Sequence, residues 1–341
     1  MDERLNGRVY PKVELHLHLD CSLSYEAVHA LDPSVTWEIY RSDFVAPAKC
    51  YNLADFLTRA PRSIALMQTP DNLRLVVNDV FHQLQQDNVY YAELRFAPLQ
   101  HTDLGLTPSE VVAIVESAVE QASSATNIEA GLILCTLRHY SPEQSMQTAQ
   151  LVEQFRGTCV AGLDLAGDEA GFPLDAHIPA FRYALEHDLA RTAHAGEASG
   201  PESVRETLTY LQPTRIGHGV RSSEDSSLLD ILRAEHIHLE VCPSSNIQTN
   251  MYDTFADHPI DLLYKAGISL GVNTDTRTIT PVTLTQEYDQ LQHFFGWRKE
   301  HLLQCNLFSL QAAFLSDEKK QTLEQRLRNA YASIDEIEKS L

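Results

Sequence analysis

The sequence predicts an α/β fold, a (β/α)8 TIM barrel with a helical insertion after its first strand. Three observations lead there. Eight short β-rich runs are spread along the chain, helix-like stretches with apolar residues near period 3.6 separate them, and polar residues gather at the C-terminal ends of the runs. Strand alternating with helix argues for a parallel sheet, and eight repeats argue for closure into a barrel, whose functional rim is built from strand C-termini.

The first run, VELHLHLD (13–20), alternates with period 2. Val13, Leu15, Leu17 and Leu19 share one face, and Glu14, His16, His18 and Asp20 the other. By itself this also suits an edge strand with its polar face in water. A pair of metal ligands requires partners elsewhere in the chain. Residues 21–88 are too long for one crossover helix and are expected to form a helical insertion that partly roofs the barrel mouth. The later runs are VYYAELRFAP (89–98), AGLILCTLRH (130–139), CVAGLDLAG (159–167), ARTAHAGE (190–197), RIGHGV (215–220), IHLEVCPSSN (237–246) and ISLGVNTDT (268–276). Helical periodicity marks 108–123, 202–211 and 226–235, and the chain from Trp297 onward reads as helical. Within it, DEKKQTLEQRLRNAY is expected to be a solvated helix face.

No repeat, low-complexity tract or Pro/Gly/Ser linker divides the 341 residues, so one domain over 1–341 is expected. The net charge of -21 argues against nucleic acid or an anionic membrane surface as partner. Six scattered cysteines without a C-x-x-C pair read as reduced, mostly buried thiols. The N-terminal MDERLNGRVYPK lacks an apolar signal core and no stretch is long enough to span a bilayer, so a soluble cytoplasmic protein is expected. The oligomeric state is not legible.

Polar clusters fall at strand ends: His16, His18 and Asp20 after the first, Gly167, Asp168 and Glu169 after the fourth, His194 and Glu197 after the fifth, His218 after the sixth, Asp275 after the eighth. Singly each has an ordinary explanation, such as a core histidine, a turn residue or a helix cap. A merely solvated face does not explain their convergence on one mouth. Three neutral imidazoles (His16, His18, His194) and one carboxylate (Asp275) suit a borderline divalent ion such as zinc, one per chain. Such an ion lowers the pKa of water from about 15.7 to about 7. His177 and His258 lie away from the strand ends and read as structural or surface positions, and Cys242 as a packed thiol.

The segments PKVELHLHLD, GLDLAGDE, HAGE, RIGHG, EVCPSSN and NTD follow the order seen in adenosine deaminases of the amidohydrolase superfamily, which the chain resembles from Pro11 to Asp275. The resemblance implies zinc-dependent hydrolysis of the 6-amino group of a purine nucleoside, adenosine or 2'-deoxyadenosine, with release of ammonia. It implies that His16, His18, His194 and Asp275 bind the metal and that Glu197 donates a proton to purine N1. His218 would orient the attacking water and stabilise its developing charge, with Asp275 also bonding that water. The Gly167 N–H would meet purine N3, Asp20 would reach the ribose hydroxyl region, Thr276 would lie at N7, and His18 would also bind substrate.

Two departures bear on substrate. Cys21 stands where the family usually has the glycine of HLDG, and NTDTR puts Thr276 where NTDDP has a second aspartate. A hydroxyl still donates a hydrogen bond. Related 6-aminopurines, such as 6-aminodeoxyfutalosine or adenine, are the alternatives, although Asp20 favours a ribose-bearing molecule. A non-catalytic barrel would have lost a ligand or Glu197, and here the set is whole.

Overall fold

The computed structural model describes residues 7–340. Each β-rich run becomes a strand that ends short of it, β1 and β3 also starting one residue earlier: β1 (Lys12–His18), β2 (Val89–Phe96), β3 (Glu129–Leu137), β4 (Val160–Ala166), β5 (Thr192–Ala195), β6 (Arg215–His218), β7 (His238–Val241) and β8 (Leu270–Val272). All pairings are parallel, in the orders β1-β2-β3-β4 and β5-β6-β7-β8.

Two seams join these sheets into a ring. Leu163 bridges to Arg191, and its N–H donates to the Ala190 carbonyl at 2.9 Å. At the other seam Leu17 bridges to Asp275, with Asp275 N to His16 O at 3.1 Å and His18 N to Asp275 O at 2.7 Å. β8 is only three residues long, so little ladder holds it to β1. The Asn273 amide substitutes: its Oδ1 accepts from Leu15 N at 2.7 Å and from His16 N at 3.1 Å. Barrel closure thus fixes His16, His18 and Asp275 against one another through backbone bonds.

Between β1 and β2 lie α1 (Tyr25–Leu31), α2 (Trp37–Asp43), α3 (Leu53–Leu57), α4 (Ala60–Leu66) and α5 (Pro70–Gln86). α5 packs against α6 (Pro108–Thr126) in the helical layer. Between α2 and α3 the chain runs over the strand C-termini: Ala46 N donates to Ile279 O at 3.0 Å, Cys50 N to Gln248 O at 2.8 Å, and Gln248 Nε2 to Ala46 O at 3.0 Å. Cys21 joins a small buried cluster with Ala46, Cys50, Leu53, Phe56 and Ile279, so its thiol packs under this segment.

The remaining helices are α7 (Pro142–Gln154), α8 (Ile178–Glu186), α9 (Pro201–Tyr210), α10 (Ser226–Ala234), α11 (Pro243–Gln248), α12 (Ile260–Lys265), α13 (Leu284–Phe295), α14 (Lys299–Ala312) and α15 (Asp317–Ser340). α6 begins with a Thr107–Glu110 capping box and Pro108 at its first position, and it buries Val111, Val112, Val115, Ala118, Val119 and Ala122 along one stripe. The PSSN half of the run 237–246 is helical rather than extended, because Pro243 opens α11 directly after Cys242. α15 is not solvated all round: Leu323, Leu327 and Tyr331, spaced four apart, are buried. All six cysteines are free thiols, and five are buried. No helix among the described residues is long and apolar enough to cross a membrane.

Charged side chains occupy the barrel interior beneath the rim. Arg95, Arg215, Glu93, Asp164 and Glu240 are fully buried. Removing such charges from water is tolerated only where each is paired. Arg95 bonds Asp164 at 2.9 Å and Glu240 at 2.6 Å, while Arg215 contacts Glu93 at 2.5 Å and Glu240 at 2.7 Å.

Candidate active site

His16 and His18 come from β1, His194 from β5, and Asp275 from the segment after β8. Their ligand atoms lie within 4.8 Å of one another. His18 Nε2 is 3.2 Å from His194 Nε2, and Asp275 Oδ1 is 3.3 Å from His16 Nε2 and 3.5 Å from His18 Nε2. Ligands 2.0–2.1 Å from a tetrahedral zinc would sit about 3.3 Å apart, so these spacings fit such an ion.

The hydrogen-bond partners of the rings point the same way. His16 Nδ1 bonds Glu240 Oε2 at 2.9 Å, and His194 Nδ1 lies 3.2 Å from Asp164 Oδ1. Each carboxylate draws the ring proton to Nδ1 and leaves an Nε2 lone pair facing the cluster. His16 Nε2 is buried with no hydrogen-bond partner. Burial, its largest influence, lowers the His18 pKa to about 3, which keeps that ring neutral. Converging lone pairs and a carboxylate repel one another, and a cation between them removes the repulsion. Ser245 Oγ donates to Asp275 Oδ2 at 2.6 Å, leaving Oδ1 for the histidines. Arg95 grips both Asp164 and Glu240, so one guanidinium braces the supports of His16 and His194.

A second set, His16, His218, Cys242 and Asp275, overlaps the first. Its thiol Sγ lies 3.5 Å from the Glu240 carbonyl oxygen, and burial pushes its pKa well above the ordinary value.

Glu197 and His218 stand beside the cluster, Glu197 Oε2 being 3.5 Å from His218 Nε2. Burial, then the charges of Asp275 and Glu169, push the Glu197 carboxyl well above the usual range, so it holds a proton at neutral pH. Burial, its largest influence, drives His218 well below its ordinary value, so that ring is neutral. His218 has φ 59° and Asp275 φ 67°, left-handed backbone that non-glycine residues seldom adopt. Such strain concentrates at functional positions.

Glu169 supports the Glu197 loop. Its carboxylate accepts the backbone N–H groups of Gly196, Glu197, Ala198 and Ser199 at 2.6–3.0 Å.

Asp20 is buried at the rim, accepting from Ala97 N at 3.2 Å, with His101 Nε2 3.7 Å away. Gly167 has φ 101°, a conformation that side chains disfavour. Thr276 is buried, and its Oγ1 accepts from Thr280 N at 3.0 Å, so its hydroxyl proton remains to donate elsewhere. His177 and His258 are interior residues, not surface ones.

The supporting residues Arg95, Asp164, Glu240, Ser245 and Asn246 escape the sequence reading. A usable signal exists for three of them: charge inside an otherwise apolar parallel strand, as in AELRF, GLDLA and HLEV, marks a side chain aimed into the barrel.

The adenosine deaminase family model matches residues 11–330. An adenosine deaminase of Enterococcus faecalis is 34% identical over 335 residues, covering 96% of this chain and 99% of that protein. One from Mycobacterium marinum is 33% identical over 350 residues, covering 95% and 96%. Among solved structures, an adenine deaminase from Arthrobacter aurescens superposes with TM-score 0.86 at 26% identity, covering 94% of this chain and 98% of that one. A Burkholderia ambifaria amidohydrolase with bound Zn, 22% identical, shares the fold with TM-score 0.88, covering 97% and 93%.

Proposed function

The chain belongs to the adenosine deaminase family of hydrolytic deaminases, and from that premise we propose that it converts adenosine, or 2'-deoxyadenosine, to the 6-oxo nucleoside and ammonia. The observation that carries this reading is a buried carboxyl, Glu197, 3.5 Å from His218 and beside the three-imidazole, one-carboxylate cluster.

His16, His18, His194 and Asp275 would hold one zinc ion. When bound, that ion supplies a Lewis acid that makes water nucleophilic near neutral pH.

Hydrolysis at C6 breaks ring conjugation, so N1 must be protonated as the C6–O bond forms. Glu197 is suited to give that proton. A neutral His218 with Nε2 toward Glu197 is suited to bond the attacking oxygen and stabilise its growing charge. Asp275 is taken as the anion, its carboxyl held well below the usual range and its Oδ2 accepting from Ser245 Oγ at 2.6 Å. It can therefore accept the proton that water loses. The Gly167 N–H is assigned to N3 and the free Thr276 hydroxyl proton to N7. Asp20 is assigned to ribose, supported by its buried place at the rim. Free adenine offers no sugar to use it.

A panel of adenosine, 2'-deoxyadenosine, adenine and 6-aminodeoxyfutalosine, followed by ammonia release and loss of 6-aminopurine absorbance, tests the assignment. Adenosine should have the highest kcat/KM. Preference for free adenine would overturn the ribose role of Asp20.

A further inference from the structure

We propose that Asn246 and His258 are positioning residues that lock the His218 imidazole in the tautomer carrying its proton on Nε2. The proposal rests on the reading of His218 as the group that bonds the attacking oxygen, and it concerns what makes that ring a donor.

Ile260 N–H, at the start of α12, donates to His258 Nδ1 at 3.2 Å. Nδ1 must therefore be the lone-pair nitrogen of a neutral ring, and Nε2 carries the proton. His258 is buried, and burial lowers its pKa to about 3, so the ring is neutral. His258 Nε2 lies 3.2 Å from Asn246 Oδ1. A donor there requires the oxygen of the Asn246 amide, which turns the NH2 group the other way. Asn246 Nδ2 is 3.1 Å from His218 Nδ1. An NH2 group can only donate, so His218 Nδ1 is an acceptor and its proton sits on Nε2. That nitrogen faces Glu197 at 3.5 Å.

Polarity thus passes from one backbone N–H through an imidazole and an amide to a second imidazole. Asn246 is fully buried and anchored by its own backbone, its N–H reaching Cys242 O and its carbonyl accepting from Met251 N, both at 3.0 Å. Because the side chain is buried, a reversed amide would set its NH2 against the His258 N–H and its oxygen against His218 Nδ1. With the proton on Nδ1 instead, two donors would face each other at Asn246 and a lone pair would face the developing oxyanion. An oxyanion needs a donor, and the relay keeps one in place before substrate arrives.

The test uses the protein with its metal, labelled with 15N at histidine, with His218 assigned from the signal lost in His218→Gln. Wild-type protein should show a protonated Nε2 and an unprotonated Nδ1. Asn246→Asp replaces the donor with an acceptor and should move the proton to Nδ1. Its kcat should fall about 10²-fold with KM changed less than about 3-fold and metal content unchanged. His258→Gln keeps an N–H toward Asn246 and should retain the wild-type tautomer. His258→Leu frees the amide to turn and should give both tautomers.

A wild-type His218 protonated on Nδ1 would overturn the relay, as would Asn246→Asp with the wild-type tautomer. Identical tautomer patterns for the Gln and Leu variants would also overturn it. The nitrogen signals do not depend on substrate. The expected tautomer in a protein that deaminates none of the panel would sink the proposed function and leave the relay standing.

Discussion

Gly217 sits in β6, and a Cβ built there would lie 3.0 Å from His16 Cε1 and 3.2 Å from His194 Cγ and Nδ1. Its backbone is not left-handed, so Gly217→Ala adds volume without strain at φ. Carbon atoms rest about 3.5–4.0 Å apart, so the two rings must yield by roughly 0.5 Å. Neither can withdraw freely, because His16 is tied to Glu240 and His194 to Asp164, and both carboxylates are held by Arg95. Metal sites tolerate about ±0.2 Å in ligand position. The displacement exceeds that, and disturbing the support of metal ligands weakens affinity about 10–100-fold, or about 1.4–2.8 kcal/mol at 1.4 kcal/mol per tenfold. Competition with a chromogenic chelator, read beside elemental analysis, measures it. The alanine variant should give up its metal at roughly 10–100-fold lower chelator activity. Wild-type retention in a folded variant would refute the claim that Gly217 sets the spacing of the two rings.

Three further outcomes are expected. Glu197→Gln should keep its metal and lose about 10²–10⁴ in kcat, since the amide has the shape but no transferable proton; near wild-type turnover would place the donor elsewhere. Thr276→Val should erase a discrimination of about 0.5–1.5 kcal/mol between adenosine and its 7-deaza analogue, the net worth of a neutral hydrogen bond; equal discrimination by both proteins would remove Thr276 from N7. Glu287 is fully buried and burial, its largest influence, raises it from 4.5 to about 8. The folded state therefore keeps a proton that the unfolded chain releases above about 4.5, so its contribution to stability declines as pH rises toward 8 and is lost beyond it. Urea midpoints for Glu287→Gln should fall less than wild type between pH 6 and 9, and parallel curves would exclude Glu287 as the source.

Much of the architecture was legible because it is written locally. Period 2 in VELHLHLD placed His16 and His18 on one face, and helical periodicity in PSEVVAIVESAVEQAS recovered the buried stripe of α6. The extended reading of PSSN failed because polar, short segments carry no period, and only Pro243 marked the turn into α11. The solvated reading of α15 failed because three apolar residues four apart are easily lost among charges.

Sequence alone determined the alternation of strand and helix and the order in which polar residues reach the strand ends, since chain order and side-chain period are properties of neighbouring residues. Tertiary structure decided which of those residues meet. His16 finds Glu240 at a separation of 224 residues, and Asp275 reaches His16 and His18 because the closing seam sets their register. The proton on His218 depends on Asn246 and His258, neither of which lies at a strand end. A strand's pattern specifies the face a side chain takes. What stands across the barrel is fixed only when the ring closes and water leaves, because each buried donor must then find an acceptor.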